Sequence, residues 1–535
     1  MPADDPGPGV GGLVDRLAEL TGNAIWHFVG TELVRRPYPE LHGDVRTVRE
    51  RLRRWGVGSG TRVGIWGENS YDWVVHELAL LDLGCVTVTL PVAEFAAETP
   101  PALAERYDLE LLLASPRHCS EAPGWLAPLT LDGAPASAMK LRPAPPPLGP
   151  DVFTVVFSSG TTGSVKAIQI GRRATDHCLA EFGRQYEFRP DDAILVGLPL
   201  STFQQRIMLY CAIWYGFDAI VVEPSPLMFV ALKQGRPTIM GGPPAFYEIL
   251  ENRFRSQPAV KRVAARTAAG LIRGLLPAGR RPAALRRLFR QAHEAYGGRM
   301  RLMLSGSAPL RRSTAELFTL VDLPLFQLYG LTESGFIAWN RPGDNRIGSV
   351  GRPVFPGSVT IAEDGEIMVR WPVPQSPGYL GEPPEVAAAT YRPDGTVATG
   401  DLGRFDADGY LHVVGRKKDI IVTRTGHKIA PSPIEQEILA DPDVAQAVLV
   451  GGDPYQVGAV VALRVHAGED TPEKVRRRVE EVNRTLPSAS RVQRVVFTRD
   501  AFTRENGLMT TTLKLNRAAV ARRFAGALER GETWA

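Results

Sequence analysis

The chain has 535 residues, 44% hydrophobic and 22% charged, which is too long for one ordinary core and predicts about two to four packed domains. A net charge of +4 gives no global reason for a nucleic-acid partner, and four scattered cysteines without C-x-x-C spacing exclude a disulfide framework and a structural zinc site. No apolar run reaches the roughly 18 residues of a membrane span.

The start, MPADDPGPGVGG, lacks the basic and apolar regions of a signal peptide, so residues 1–20 are predicted to be a disordered lead-in and the cytoplasm is the expected location. TRVGIWGENSYDWVVHELALLDLGCVTVTL (61–90) reads as strand, turn, helix, strand: a short apolar β-prone run, helical spacing from Tyr71 to Leu83, a stop at Gly84, then alternation. That βαβ unit predicts a parallel sheet. PAPPPLGP (143–150) is a stiff connector before DVFTVVF, a buried-strand pattern.

The next stretch, FSSGTTGSVKAIQI, packs Ser158, Ser159, Thr161 and Thr162 among Gly160 and Gly163, with Lys166 behind. Glycines let backbone N–H groups approach an anion, hydroxyls donate further bonds and a lysine adds charge, so the composition is that of a phosphate cradle. It is not a P-loop, because the glycine spacing is wrong and no Gly-Lys-Ser/Thr follows. On these residues alone a glycine-rich surface turn remains the alternative.

Further along, DAILVGLPL and DAIVVEP bracket a helical stretch and repeat the βαβ logic. Residues 253–301 hold thirteen Arg or Lys and one acidic residue, Glu294; RRPAALRRLFRQAHEAY within them reads as one amphipathic basic helix. A solvated arginine-rich face and a membrane-surface or acidic-partner patch are both open there. From VTIAEDGEIMVRW the pattern shifts to short strands with D-G turns, predicting a small β subdomain. After GRKKD, the chain alternates helix, strand, strand, helix. The predicted fold is therefore α/β: an N-terminal domain of parallel sheets plus the β subdomain over 21–416, then a small α+β domain over 417–535.

Five stretches follow the phosphate-loop candidate in order: LSGSAPL (304–310), QLYGLTESG (327–335), TGDLG (399–403), GRKKDIIVTRTGHKIAPSPIE (415–435) and ENGLMTTTLKLNR (505–517). Their order and spacing resemble the adenylate-forming superfamily of acyl- and aryl-CoA synthetases, adenylation domains and luciferases. RPTIMGGPPAFYE and the ENGLMTTTLK ending look most like the long-chain fatty acyl-CoA ligase branch. The resemblance implies an ATP- and Mg²⁺-dependent ligase that joins a carboxylate to AMP, releases pyrophosphate and passes the acyl group to CoA or a carrier thiol, on a carrier protein in some relatives. It implies that the glycine loop with Lys166 covers the β- and γ-phosphates, that Gly306, Ser307 and Ala308 bring backbone against the purine and ribose, and that Tyr329, beside Gly330, stacks on adenine. By the same resemblance Thr332 meets the α-phosphate, Glu333 holds Mg²⁺, Asp401 and Arg416 take the ribose, and Lys514 reaches between carboxylate and α-phosphate. Lys418 falls at the hinge about which the mobile C-terminal lid rotates to present the Thr423–His427 loop. Out of this context Asp401 reads equally as a turn residue, Glu333 as a helix start and Lys418 as an exposed charge.

Departures from the family pattern bear on the substrate. SVKA lacks the usual proline and glycine after the phosphate loop, TTTLK lacks a proline, and LPLSTFQQR puts Thr202 where long-chain ligases carry a histidine. With Phe336 and Trp339 on the stretch that lines the acyl pocket in relatives, Thr202 is expected to border a small cavity suited to aromatic or short acids. Two alternatives stand beside the ligase: a diazotase that adenylates nitrite and diazotises an aryl amine, and a non-catalytic ATP-binding regulator.

Overall fold

The computed structural model describes residues 9–119, 124–132, 139–159, 165–223, 227–423, 426–452, 456–464, 468, 470–503, 505–509 and 515–534. Two mainly parallel sheets dominate the chain as far as Leu380. The seven-stranded sheet runs through Arg62–Trp66, Val86–Thr89, Leu111–Ala114 and Val152–Ser159, which pair in parallel. The strands Arg62–Trp66, Val86–Thr89 and Leu111–Ala114 are buried at every residue, as strands covered on both faces must be. The nine-stranded sheet places Ile239–Gly242, Leu302–Ser305 and Leu325–Leu331 side by side in parallel. The helices Tyr38–Arg54, Tyr71–Asp82, Arg172–Tyr186 and Phe203–Tyr215 share one hydrophobic core with strands of both sheets. Helix Tyr71–Asp82 begins where the sequence predicts it, because Ser70 Oγ accepts the Trp73 N–H (3.1 Å), and it ends at Gly84 with φ +71°.

The β subdomain is a four-stranded antiparallel sheet of Val359–Ile361, Glu366–Val369, Val397–Phe405 and Leu411–Arg416. Its D-G turns place Gly365 and Gly409 at φ +86° and +81°, backbone that glycine adopts without a Cβ penalty. Beyond it, strands Val444–Gly452, Gln456–Leu463 and Arg494–Thr498 form a separate sheet. Alternation along these strands sorts Ala447, Leu449, Val457 and Val461 against helices Pro431–Leu439 and Thr471–Thr485, and Val448, Val450 and Val460 against helix Arg517–Arg530.

Three expectations change. The stretch 1–20, expected to be a disordered lead-in, is folded from Val10 onward: Leu13–Glu19 is a helix, and Val10, Leu13, Val14 and Leu17 are buried in the main core. RRPAALRRLFRQAHEAY is two helices, Arg281–Leu288 and Arg290–Ala295, broken at Phe289. The break lets Phe289 enter the core and turns His293 inward, where its Nε2 lies 2.9 Å from the Val321 carbonyl. The phosphate-loop candidate joins two antiparallel strands, Val152–Ser159 and Val165–Gly171, with Ser158 opposite Lys166. Residues 160–164 of that loop, and the Ser159 side chain, lie outside the described residues.

Candidate active site

The strands Leu302–Ser305 and Leu325–Leu331 are parallel neighbours, so Gly306–Ala308 and Tyr329 leave the same edge of the sheet, where open α/β sheets bind ligands. Close backbone is required there. A Cβ on Gly306 would meet Leu328 Cδ1 at 2.7 Å, and one on Gly330 would meet the Gly335 carbonyl oxygen at 2.4 Å. Ser307 sits at φ +68°, a left-handed conformation rare for serine. The Tyr329 hydroxyl donates to Asp401 Oδ2 (2.7 Å) and Arg416 Nε donates to Oδ1 (3.0 Å). Asp401 and Arg416 are direct cross-strand partners, so the sheet register itself brings the pair together. The Asp401 N–H donates to Thr399 Oγ1 (3.1 Å), and Gly400 N–H donates to Glu366 Oε1 (2.8 Å), which fixes the TGD turn. Burial, then the Asp401 charge, pushes the Tyr329 phenol far above its ordinary range, keeping it a neutral donor.

A second cluster forms on Tyr379, which the sequence reading did not single out. Strand Tyr379–Leu380 pairs with Val165–Gly171, setting Tyr379 against Ile168. Lys166 Nζ lies 4.6 Å from the Tyr379 ring centre, and the Tyr379 hydroxyl donates to Glu333 Oε1 (3.3 Å). The Tyr391 ring meets Tyr379 edge-on at 5.2 Å. Burial and the Glu333 charge raise the Tyr379 phenol as well. One tyrosine thus joins the lysine and the carboxylate that the sequence reading assigns to phosphate and metal. Thr332 and Glu333 occupy the turn between antiparallel strands Leu325–Leu331 and Gly335–Trp339. No sequence signal links a GYL stretch to a lysine so far upstream; only the pairing of their strands does.

The segment after Arg416 is held from both sides. Lys417 Nζ pairs with Asp364 (2.5 Å) and Glu366 (2.8 Å) of the β subdomain. Asp419 pairs with Arg517 Nε (3.5 Å), and Arg517 Nη2 donates to Glu435 Oε2 (2.5 Å). Lys418 lies within this short 3₁₀ turn. The His427 N–H donates to Thr423 Oγ1 (3.1 Å), and residues 424 and 425 between them lie outside the described residues. Lys514 is outside the described residues.

Comparison with known proteins agrees with this layout. The chain matches the AMP-binding enzyme family over residues 24–380 and the AMP-binding enzyme C-terminal domain over residues 418–530. It belongs to this adenylate-forming family. Among similar proteins, the long-chain-fatty-acid–CoA ligase FadD15 of Mycobacterium bovis is 28% identical over 553 residues, covering 92% of this chain and 91% of that protein. A 2-succinylbenzoate–CoA ligase of Listeria innocua is 35% identical over 202 residues, 37% of this chain and 42% of its own. ATP-bound MatB from Rhodopseudomonas palustris superposes with a TM-score of 0.73 at 22% identity, over 97% of this chain and 100% of that one, a likeness of fold. The protein is an acyl/aryl-CoA ligase-like enzyme, and ATP and CoA are the co-substrates its family implies.

The residues of this AMP-binding enzyme fit a magnesium nucleotide. Among the described residues no three His, Cys, Asp or Glu side chains converge, so a cation would lean on one carboxylate, Glu333, and on phosphate oxygens, the manner in which Mg²⁺ is commonly held. Ser305 Oγ and Ser334 Oγ are buried without a hydrogen-bond partner among the described residues, one directly before Gly306 and one directly after Glu333.

The expected small cavity is corrected. Phe336 and Trp339 are 5% and 3% exposed, and their rings pack on Phe182 of helix Arg172–Tyr186 at 4.9 and 5.2 Å. Trp339 also meets Tyr186 at 5.7 Å, and no contact of either ring with Thr202 is among those described. Both rings are core between sheet and helix, so Trp339→Ala is a core truncation expected to cost about 3–5 kcal/mol of stability, checked by denaturant melting. Thr202 is the half-buried N-cap of helix Phe203–Tyr215. The polar run after it points partly inward. Gln205 accepts the Leu198 N–H (3.3 Å), and Arg206, 0% exposed, pairs with Glu77 (2.8 Å) and donates to Thr154 (2.9 Å).

Proposed function

We propose that this enzyme activates a carboxylic acid as an acyl-adenylate and transfers it to the thiol of CoA. The observation that supports this reading is a pair of polar clusters, Tyr329 and Arg416 on Asp401, and Lys166 and Glu333 on Tyr379, with Tyr329 and Glu333 four residues apart on one strand and its turn. Asp401 and Arg416 hold the ribose, while Gly306–Ala308 and Tyr329 enclose the purine. Lys166 and the glycine loop neutralise the outer phosphates, and Thr332 orients the α-phosphate. A Mg²⁺ ion at Glu333 would supply charge neutralisation on the phosphates. The carboxylate oxygen attacks the α-phosphorus, the bond to the bridging oxygen breaks, and pyrophosphate leaves. Lys514 stabilises the charge that develops there. The thiolate then attacks the acyl carbon and AMP leaves.

With Phe336 and Trp339 in the core, the argument for a small aromatic pocket loses its support, and the near full-length likeness to a long-chain ligase favours a fatty acid as substrate. The test is pyrophosphate release with ATP, Mg²⁺ and a panel of palmitate, octanoate, benzoate and nitrite plus an aryl amine, each with and without CoA. Products are read by mass spectrometry, and Lys514→Ala serves as the control. Acyl-CoA from an aliphatic acid, lost by roughly a hundredfold or more in the variant, is the expected result. A diazotised amine from nitrite with every acid inert, or an undiminished variant, would overturn the reading.

A further inference from the structure

Helix Ala259–Leu275 has two apolar faces, and only one of them is packed. The inner face carries Ala265, Ala269 and Ile272 against the core, and Arg273 ties it down by donating to the Thr319 and Leu320 carbonyls at 2.6 and 2.9 Å. On the opposite side Val260, Val263, Leu271 and Leu275 are 80%, 61%, 56% and 77% exposed. Their spacing, with the small residues Ala264, Thr267 and Gly274 between them, makes one continuous stripe along a helix of about 25 Å. Lys261 and Arg266 flank it on either side. They are exposed, and no carboxylate pairs with them among the described residues. Exposed aliphatic side chains scattered singly need no explanation, but four aligned on one helix face do.

Charge indicates what covers the stripe. Residues 253–301 hold thirteen basic residues and one acidic, a net +12 in a chain of net +4, so the rest of the molecule is net −8. The positive charge is thus concentrated around this helix and the one after it, where Arg280 and Arg287 are also exposed without a carboxylate partner among the described residues. An isologous contact between two copies would set Lys261, Arg266, Arg280 and Arg287 against the same four charges. A nucleic acid would use the charges and leave the aliphatic stripe in water. An apolar face bordered by basic residues matches a surface with an anionic head layer over an apolar interior.

We propose that the helix Ala259–Leu275 seats this enzyme peripherally on an anionic lipid bilayer, with Val260, Val263, Leu271 and Leu275 entering the acyl boundary and Lys261 and Arg266 meeting headgroup phosphates. No helix among the described residues is long and apolar enough to cross a membrane, so the contact is with one leaflet.

The experiment is co-sedimentation of the full-length protein with vesicles of phosphatidylcholine containing roughly 30 mol% phosphatidylglycerol, beside pure phosphatidylcholine, at low and high salt. The expected result is at least about tenfold stronger partition onto the anionic vesicles, weakened by salt. The double variants Leu271→Ser/Leu275→Ser and Lys261→Glu/Arg266→Glu should each lower that partition about tenfold or more with an unchanged melting temperature, since these side chains face away from the core. Absence of vesicle binding at low salt, or equal binding by wild type and both variants, would overturn the proposal. So would self-association without lipid that the leucine variant abolishes, or duplex DNA binding of equal strength that the charge variant alone removes.

Discussion

Asp401 is 4% exposed, and the Tyr329 hydroxyl and Arg416 each bind one of its carboxylate oxygens; the proposed function gives this carboxylate the ribose. A charge-assisted bond of this kind is worth about 1.5–3 kcal/mol. Asp401→Ala should therefore weaken ATP binding by roughly tenfold to a hundredfold in calorimetric titration, and an unchanged affinity would remove Asp401 from the nucleotide site. His76 illustrates a different use of burial. It is fully buried, with Nδ1 2.7 Å from the Asp72 carbonyl and Nε2 2.9 Å from Arg51 Nη2. Burial first, and then the Arg51 charge, lower its pKa to about 4 against a backbone bond that raises it. The folded state keeps the ring neutral, so its contribution to stability is complete above the ordinary pKa of about 6.5 and is lost as pH falls toward 4. Urea unfolding at pH 7 and 4.5 should show about 2–3 kcal/mol of acid destabilisation that His76→Gln lacks. Equal acid losses in the two proteins would contradict the assignment.

At the scale of elements, strand pairing does what sequence proximity cannot. The two-residue strand Tyr379–Leu380 exists because it caps the edge of the seven-stranded sheet, and that docking carries Tyr379 between Lys166 and Glu333. Helix Arg517–Arg530 is placed in a comparable way. Its first residue binds Glu435 on helix Pro431–Leu439 and Asp419 in the turn after Arg416. Lys514, which the proposed function places at the α-phosphate, precedes Arg517 by three residues in the sequence, so the Arg517 anchor is expected to bear on the first half-reaction. Arg517→Met is expected to lower the rate of adenylation by roughly tenfold to a hundredfold, the cost of misplacing a reacting group by about 1 Å, with ATP affinity unchanged. Arg517→Lys should restore part of the loss. A fall in ATP affinity equal to the fall in rate would point to general unfolding of the C-terminal sheet instead.

The whole molecule is organised around a joint. The N-terminal sheets and the C-terminal sheet keep separate hydrophobic cores, and the covalent crossing at Arg416–Asp419 is latched by Lys417 to Asp364 and Glu366 and by Asp419 to Arg517. The Arg311 guanidinium adds a bond across the two parts, donating to the Ala445 carbonyl at 2.6 Å. If rotation about Lys418 presents the Thr423–His427 turn for the thiol step, Lys418→Pro should leave single-turnover adenylation within about twofold and slow transfer to CoA by tenfold or more. Equal effects on both half-reactions would assign Lys418 to the first step.

Much of this was legible in the chain itself. Short β-prone runs marked the strands of the first βαβ unit, helix Tyr71–Asp82 carried its own cap and stop, and D-G pairs marked the turns of the β subdomain, because these are local consequences of side-chain periodicity and backbone sterics. The ordered motifs likewise placed the protein among adenylate-forming enzymes, which the family match then bore out. What only the tertiary structure decided is where side chains with two plausible destinations point. Phe336 and Trp339 read as pocket lining, and the structure packs both rings on Phe182. Arg206, to which the sequence reading gave no role, is a fully buried partner of Glu77. Val260, Val263, Leu271 and Leu275 fell within the basic stretch 253–301 with no destination of their own, and the docking of the helix's other face left them outside. In each case the sequence specified the residue's chemistry. Its partner lay far away along the chain, and only the packing of whole elements brings such partners within van der Waals or hydrogen-bond reach.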